Sequence, residues 1–109
     1  MGARKNAVMS QVVESVAVAA PRGLVWRVIR EIAATQNAEI DVVQEALELR
    51  WTSPAEAQWW VRLAPSWTGT EVEHGCTFPD RPDLIAPIRA RVLATLSEVK
   101  ARAESESTQ

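Results

Sequence analysis

The sequence predicts an α+β domain: an antiparallel sheet covered on one side by amphipathic helices. Three observations point there. A valine-rich run over 12–20 reads as a strand, because β-branched residues suit a pleated surface. Three later segments, 47–52, 58–64 and 70–78, alternate apolar and polar residues with the two-residue period of a half-buried strand. Two segments, 24–34 and 83–102, place apolar residues three and four apart, the period of a helix with one buried stripe.

The elements follow in order. Residues 1–10 are polar and are expected to be disordered, with the folded domain spanning 11–103. In the first strand Val12, Val16, Val18 and Ala20 share a face with Glu14. Pro21 ends the strand and marks a helix start, since proline is tolerated in a helix's first turn. Val25, Val28, Ile29, Ile32 and Ala33 then form an apolar stripe, with Arg27, Arg30 and Glu31 off it. Residues 35–46 are ambiguous: Ile40 and Val42 alternate like a strand, whereas Ile40, Val43 and Leu47 fit a helix. A short strand or turn is the favoured reading.

Leu47, Leu49 and Trp51 alternate with Glu48, Arg50 and Thr52. Trp59, Val61 and Leu63 share one face of the next strand, and Gln58, Trp60 and Arg62 the other. Pro65 to Gly69 is a turn, Gly69 being free to take a positive φ. Thr70, Val72, His74, Cys76 and Phe78 line one side of the strand after it. Past the Pro79–Pro82 loop, Ile85, Ile88, Val92, Leu96, Val99 and Ala103 make the stripe of the last helix. The tail 104–109 has no apolar residue and is expected to be disordered. The fold that follows is a curved sheet of four or five strands with the 83–102 helix on its concave face.

The bulk properties exclude several classes. The chain has 109 residues, 47% hydrophobic and 24% charged, which suits one globular domain. A net charge of −2 and a pI near 5.4 give no general attraction to nucleic acid or anionic membrane. The apolar stretch 12–20 is interrupted by Glu14 and too short to span a bilayer. One cysteine, Cys76, forms no internal disulfide, so a cytoplasmic location is expected. No metal, phosphate or nucleophile motif is present, and no cofactor is expected: His74 and Cys76, two apart on one strand face, do not complete a zinc site.

Two stretches carry a family resemblance. Val16-Ala17-Val18-Ala19-Ala20-Pro21 followed by Val25-Trp26 resembles the opening of the polyketide cyclase/dehydrase and lipid-transport superfamily, which is START-related. Leu63 to Val72, with Pro65 leading into Gly69-Thr70, resembles that family's late hairpin, and the C-terminal helix fits as well. The resemblance implies a helix-grip fold, a sheet wrapped around the last helix with an apolar cavity between. It also implies a reduced version, because the segment between Thr35 and Leu47 is short for the family. The sheet is then expected to be smaller and the cavity more open.

Candidate site residues follow. Five tryptophans and no tyrosine is an unusual set for this length. The plain reading is core filling. The functional one is an apolar ligand pocket lined by Trp26, Trp51, Trp59, Val61, Val72, Ile88 and Val92. Trp59 and Trp60 are adjacent on a strand and point to opposite faces, so both cannot enter one core. Trp60 beside Arg62 therefore marks an expected interface, and a twofold homodimer protects it together with an unpaired sheet edge. Glu14 and His74 are the candidates for acid–base chemistry. The rival readings are a satisfied or partly exposed histidine and a solvated carboxylate near a frayed strand start. Cys76 reads as a small buried residue rather than a nucleophile. Three functions remain open: a binding module for a small apolar or aromatic molecule, a cyclase or dehydratase using Glu14 or His74, and a non-catalytic dimeric interaction protein.

Overall fold

The structure is a computed structural model and describes residues 9–35, 39–53 and 57–108. Seven elements follow one another: β1 (Met9–Val18), α1 (Arg22–Ala34), β2 (Ile40–Gln44), β3 (Glu48–Thr52), β4 (Gln58–Pro65), β5 (Thr70–Pro79) and α2 (Pro82–Ser107). The strands form one antiparallel sheet in the order β1-β5-β4-β3-β2. This curved five-stranded sheet, packed against a long C-terminal helix, is the helix-grip arrangement.

The two-residue period places the core. On β5, Thr70, Val72, His74, Cys76 and Phe78 are all buried. On β1, the even-numbered Val12 and Val18 are buried, and on β3 Leu49 and Trp51. Two helix stripes close over this face. Val25, Trp26, Val28, Ile29, Ile32 and Ala33 come from α1, and Val92, Leu96, Val99 and Ala103 from α2. Apolar burial of this kind is the main driving force holding such layers together.

The β4–β5 turn packs tightly against the β1–α1 junction. Gly69 has φ of 153°, and a Cβ there would lie 2.6 Å from the Ala20 carbonyl oxygen. Thr70 Oγ1 donates to that same oxygen at 2.9 Å. Only glycine accepts both the backbone angle and the contact.

Several boundaries differ from the sequence reading. Of the terminal segment expected to be disordered, residues 1–8 lie outside the described residues, and Met9 and Ser10 belong to β1. The ambiguous stretch 35–46 contributes the short edge strand β2 and a turn through Ala46, whose φ is 63°. Residues 36–38 lie outside the described residues. The clearest correction is at the C-terminus. The helix continues to Ser107, where a disordered tail was expected from residue 104. Ionic contacts hold it in place of apolar ones: Glu104 accepts from the Ala19 N–H at 2.8 Å and from Lys100 Nζ at 2.7 Å, and Glu106 pairs with Arg27. Gln109 is outside the described residues.

Candidate functional site

The concave face holds an aromatic cluster set by strand register. Trp51 and Trp59 are cross-strand partners on β3 and β4. Their rings are stacked, centroids 6.3 Å apart and planes 4° from parallel. His74 stands beside both, its ring centroid 5.7 Å from that of Trp51 and 5.9 Å from that of Trp59. The Arg91 guanidinium of α2 lies over the Trp59 ring, 5.6 Å from its centroid, within cation–π range.

Behind this cluster lies a small, largely apolar cavity. Its walls are Ile29, Ile32 and Ala33 of α1, Trp51, Val61, Val72 and His74 of the sheet, and Thr95, Leu96 and Val99 of α2. Side chains fill it almost completely, leaving about 10 Å³, which is the threshold for a single water. Among the described residues, this space is therefore narrower than the open cavity implied by the family resemblance: the stripes of α1 and α2 close over the sheet. A larger depression of about 550 Å³ lies outside, over the ends of β2, β3 and β4. It is open to solvent and rimmed by Glu39, Asp41 and Arg50.

The expected pocket residues divide. Trp51, Val61 and Val72 line the cavity. Trp59 backs it through Trp51 and His74. Val92 is fully buried and Ile88 half-buried in the same core, outside the cavity wall. Trp26 has a different position: its Nε1 donates to Glu45 at 3.0 Å, tying α1 to the β2–β3 turn. The α1 contribution from Ile29, Ile32 and Ala33 was not among the expected pocket residues, although the helical period had placed all three on the buried stripe.

His74 is 1% exposed. Its Nδ1 lies 2.8 Å from the Trp60 carbonyl oxygen, which only accepts, so Nδ1 carries the proton and Nε2 is left as an acceptor. Burial lowers the His74 pKa below 6.5; the bond to the Trp60 carbonyl opposes this, and the Arg91 charge adds to it. The imidazole is therefore neutral at physiological pH. Glu14 and His74 are register partners across β1 and β5. Their polar ends diverge, however, since the Glu14 carboxylate pairs with Arg89 Nε at 3.3 Å. Glu14 sits in the middle of a paired strand rather than at a frayed start. Burial pushes the Cys76 thiol up to about 12, against the pull of Arg91, so it stays protonated and is not a nucleophile. Among the described residues no three His, Cys, Asp or Glu side chains gather where a metal could sit.

Trp60 departs from expectation. It points to the convex face, as strand alternation requires, yet it is only 8% exposed. Its indole lies flat over Gly75, where a Cβ would come within 2.3 Å of Trp60 Cζ2. The Arg62 guanidinium covers it at 5.5 Å from the ring centroid. Arg62 is itself engaged by Glu48 at 3.5 Å and Glu73 at 3.2 Å. Strand β4 also has neighbours on both sides. At the expected interface Trp60 is thus covered within its own chain, whereas the Arg62 side chain stays about half exposed, at 48%. Among the described residues, the buried Trp60 Nε1 meets no hydrogen-bond partner.

The arrangement defines a class, that of helix-grip domains with an apolar interior between sheet and C-terminal helix. No protein-family model matches the sequence, and no curated protein matches it. Solved structures do match. One is a protein of Staphylococcus saprophyticus, 15% identical, with a TM-score of 0.71 over 87% of this chain and 92% of that one. Another is a polyketide-cyclase-like protein of Corynebacterium glutamicum, 16% identical, TM-score 0.60 over 88% and 92%. A third is the Zhui aromatase/cyclase of a Streptomyces species, 15% identical, TM-score 0.57 over 89% and 94%. At such identities the likeness is one of fold alone. No helix among the described residues is long and apolar enough to cross a membrane.

Proposed function

We propose that this chain is a binding module for a small apolar or aromatic molecule, taken between the sheet and α2. One observation carries the reading: the cavity is walled by apolar side chains, with His74 and Thr95 as its polar exceptions. An apolar wall with few polar groups is how small-molecule sites are built. The parallel indoles of Trp51 and Trp59 suit a flat ligand, and the His74 Nε2 acceptor would orient a hydroxyl. Because the cavity is nearly filled, binding requires the walls to part, and the ligand then replaces the side-chain contacts that are lost. Cys76, single and buried, suits a reducing cytoplasm.

The test is a titration with fatty acids, polycyclic aromatics and flavonoids, followed by tryptophan emission. A saturable quench or shift is expected, since Trp51 and Trp59 adjoin the cavity. No saturable change with any of the three classes overturns the reading.

A second reading, cyclase- or dehydratase-like catalysis, rests on the neutral His74 imidazole, which is in the state a general base needs. Glu14, the other candidate, pairs with Arg89 at 3.3 Å. Turnover lost in His74→Gln while ligand binding persists would favour catalysis; binding without turnover favours the module.

A further inference from the structure

We propose that the chain dimerises through the free edge of β1, so that two five-stranded sheets join as one across a twofold axis at Val12. The inference is independent of the ligand reading.

The direction of the backbone groups of β1 marks its free edge. Among the described residues, β1 ends the sheet and pairs only with β5. The Ala17 carbonyl accepts from Lys100 Nζ at 3.1 Å, and the Ala19 N–H donates to Glu104 at 2.8 Å. Both groups therefore face away from β5. Along a strand, alternate residues turn N–H and C=O to the same side. Met9, Gln11, Val13 and Ser15 thus also face outward. The position of Pro79 agrees: it stands opposite Met9, where β5 needs no N–H toward β1. Lys100 and Glu104 block this edge at one end. Among the described residues, no backbone bond closes it from Met9 to Ser15.

The two sheet edges are guarded differently. β2 is five residues long, bulged between Val42 and Gln44, and carries the exposed Asp41. Short length, bulges and charges are the usual defences of an edge. β1 is ten residues long and has no bulge in its pairing with β5. Its outward positions, Met9, Gln11, Val13 and Ser15, carry no charge. Met9 and Val13 are two of the large exposed apolar residues, at 46% and 40%.

The occupant that fits is a second copy, antiparallel. With the axis at Val12, Gln11 meets the partner's Val13 and Met9 meets the partner's Ser15, which uses the open window and no more. An axis at Val13 would instead set Met9 against the partner's Ala17, whose carbonyl Lys100 already holds. The chosen register also sets Ser10 opposite the partner's Glu14 on the concave face. Ser10 Oγ donates to Asp80 at 2.9 Å, and Glu14 holds Arg89 at 3.3 Å. Pairing therefore brings Asp80 toward the partner's Arg89. Symmetry makes the same contact twice.

Sedimentation from low to high micromolar concentration tests this. The wild type should pass from monomer to dimer mass. Val13→Pro removes an N–H that faces away from β5, a place where an edge strand tolerates proline. It should weaken the dimer about 30-fold, from two lost backbone bonds of ordinary net strength, while circular dichroism stays unchanged. Asp80→Lys, an exposed change, should also weaken it by setting a lysine against Arg89, and it serves if Val13→Pro misfolds. Hydrogen exchange at Gln11 and Val13 should slow with rising concentration. A monomer mass throughout overturns the proposal, as does a dimer indifferent to Asp80→Lys and to any folded Val13→Pro chain. Protection of these amides that does not vary with dilution would mean that another segment covers the edge, and would overturn it too.

Discussion

His74 shows how one residue's surroundings set its chemistry. Sequence gave its face, since it alternates with Val72 and Cys76, but not its partner, because the Trp60 carbonyl reaches it from another strand. Its lowered pKa has a thermodynamic consequence. In the unfolded chain the imidazole titrates near 6.5. Below that pH the unfolded state binds a proton that the folded state refuses. Stability is therefore full above about pH 6.5 and falls as pH drops, until the folded imidazole protonates as well. One such group contributes a slope of up to about 1.4 kcal/mol per pH unit. His74→Gln, which keeps a donor for the Trp60 carbonyl, should flatten this part of the profile. Urea midpoints of both proteins on either side of that pH are the measurement, and equal slopes would remove His74 as the cause. Trp60 illustrates the other limit of local reading. The two-residue period fixed its face, while its burial depends on Gly75, placed beneath it by a register that no single strand encodes.

At the scale of elements, what was legible was whatever rests on apolar periodicity. The three central strands and the first helix fall where alternation and the helical period put them. β2 was ambiguous because five residues with neighbouring valines fit both periods. The last turns of α2 were missed for a physical reason: they are anchored by charge, and a run of Glu and Ser looks like solvated chain. The Glu104 carboxylate is held below its usual range first by the Ala19 N–H and then by Lys100. It therefore stays ionised, and keeps the β1 end tied to α2, into moderately acid solution. Glu104→Ala should release the Ala19 amide, with hydrogen exchange there about five- to tenfold faster. The amides of β5 should be unaffected. Unchanged exchange at Ala19 would mean that the tail contact contributes nothing to the edge.

At the scale of the whole molecule, the resemblance read from Ala20-Pro21, Val25-Trp26 and the Gly69 turn led to the right architecture, but not to the state of its interior. Cavity size depends on how closely two helix stripes approach a curved sheet, a sum of many side-chain volumes that no motif encodes. Under the proposed binding role, the filled interior sets stability against binding. Leu96 lies at the centre of that opposition: it is 3% exposed and forms part of the cavity wall. Leu96→Ala should cost about 2–5 kcal/mol, the range for removing a buried leucine side chain. The space it opens is largely apolar, with His74 and Thr95 the polar groups in its wall. A small aromatic that binds the wild type only by parting the walls should then bind without that step. Its affinity should rise about tenfold or more, equivalent to about 1.4 kcal/mol. Saturating ligand should also return part of the lost thermal stability, because a ligand bound only to the folded state raises its midpoint. Calorimetric titration and thermal melts of the two proteins, with and without a polycyclic aromatic, measure both effects. A destabilised variant with no gain in affinity would place the ligand site elsewhere than between the sheet and α2.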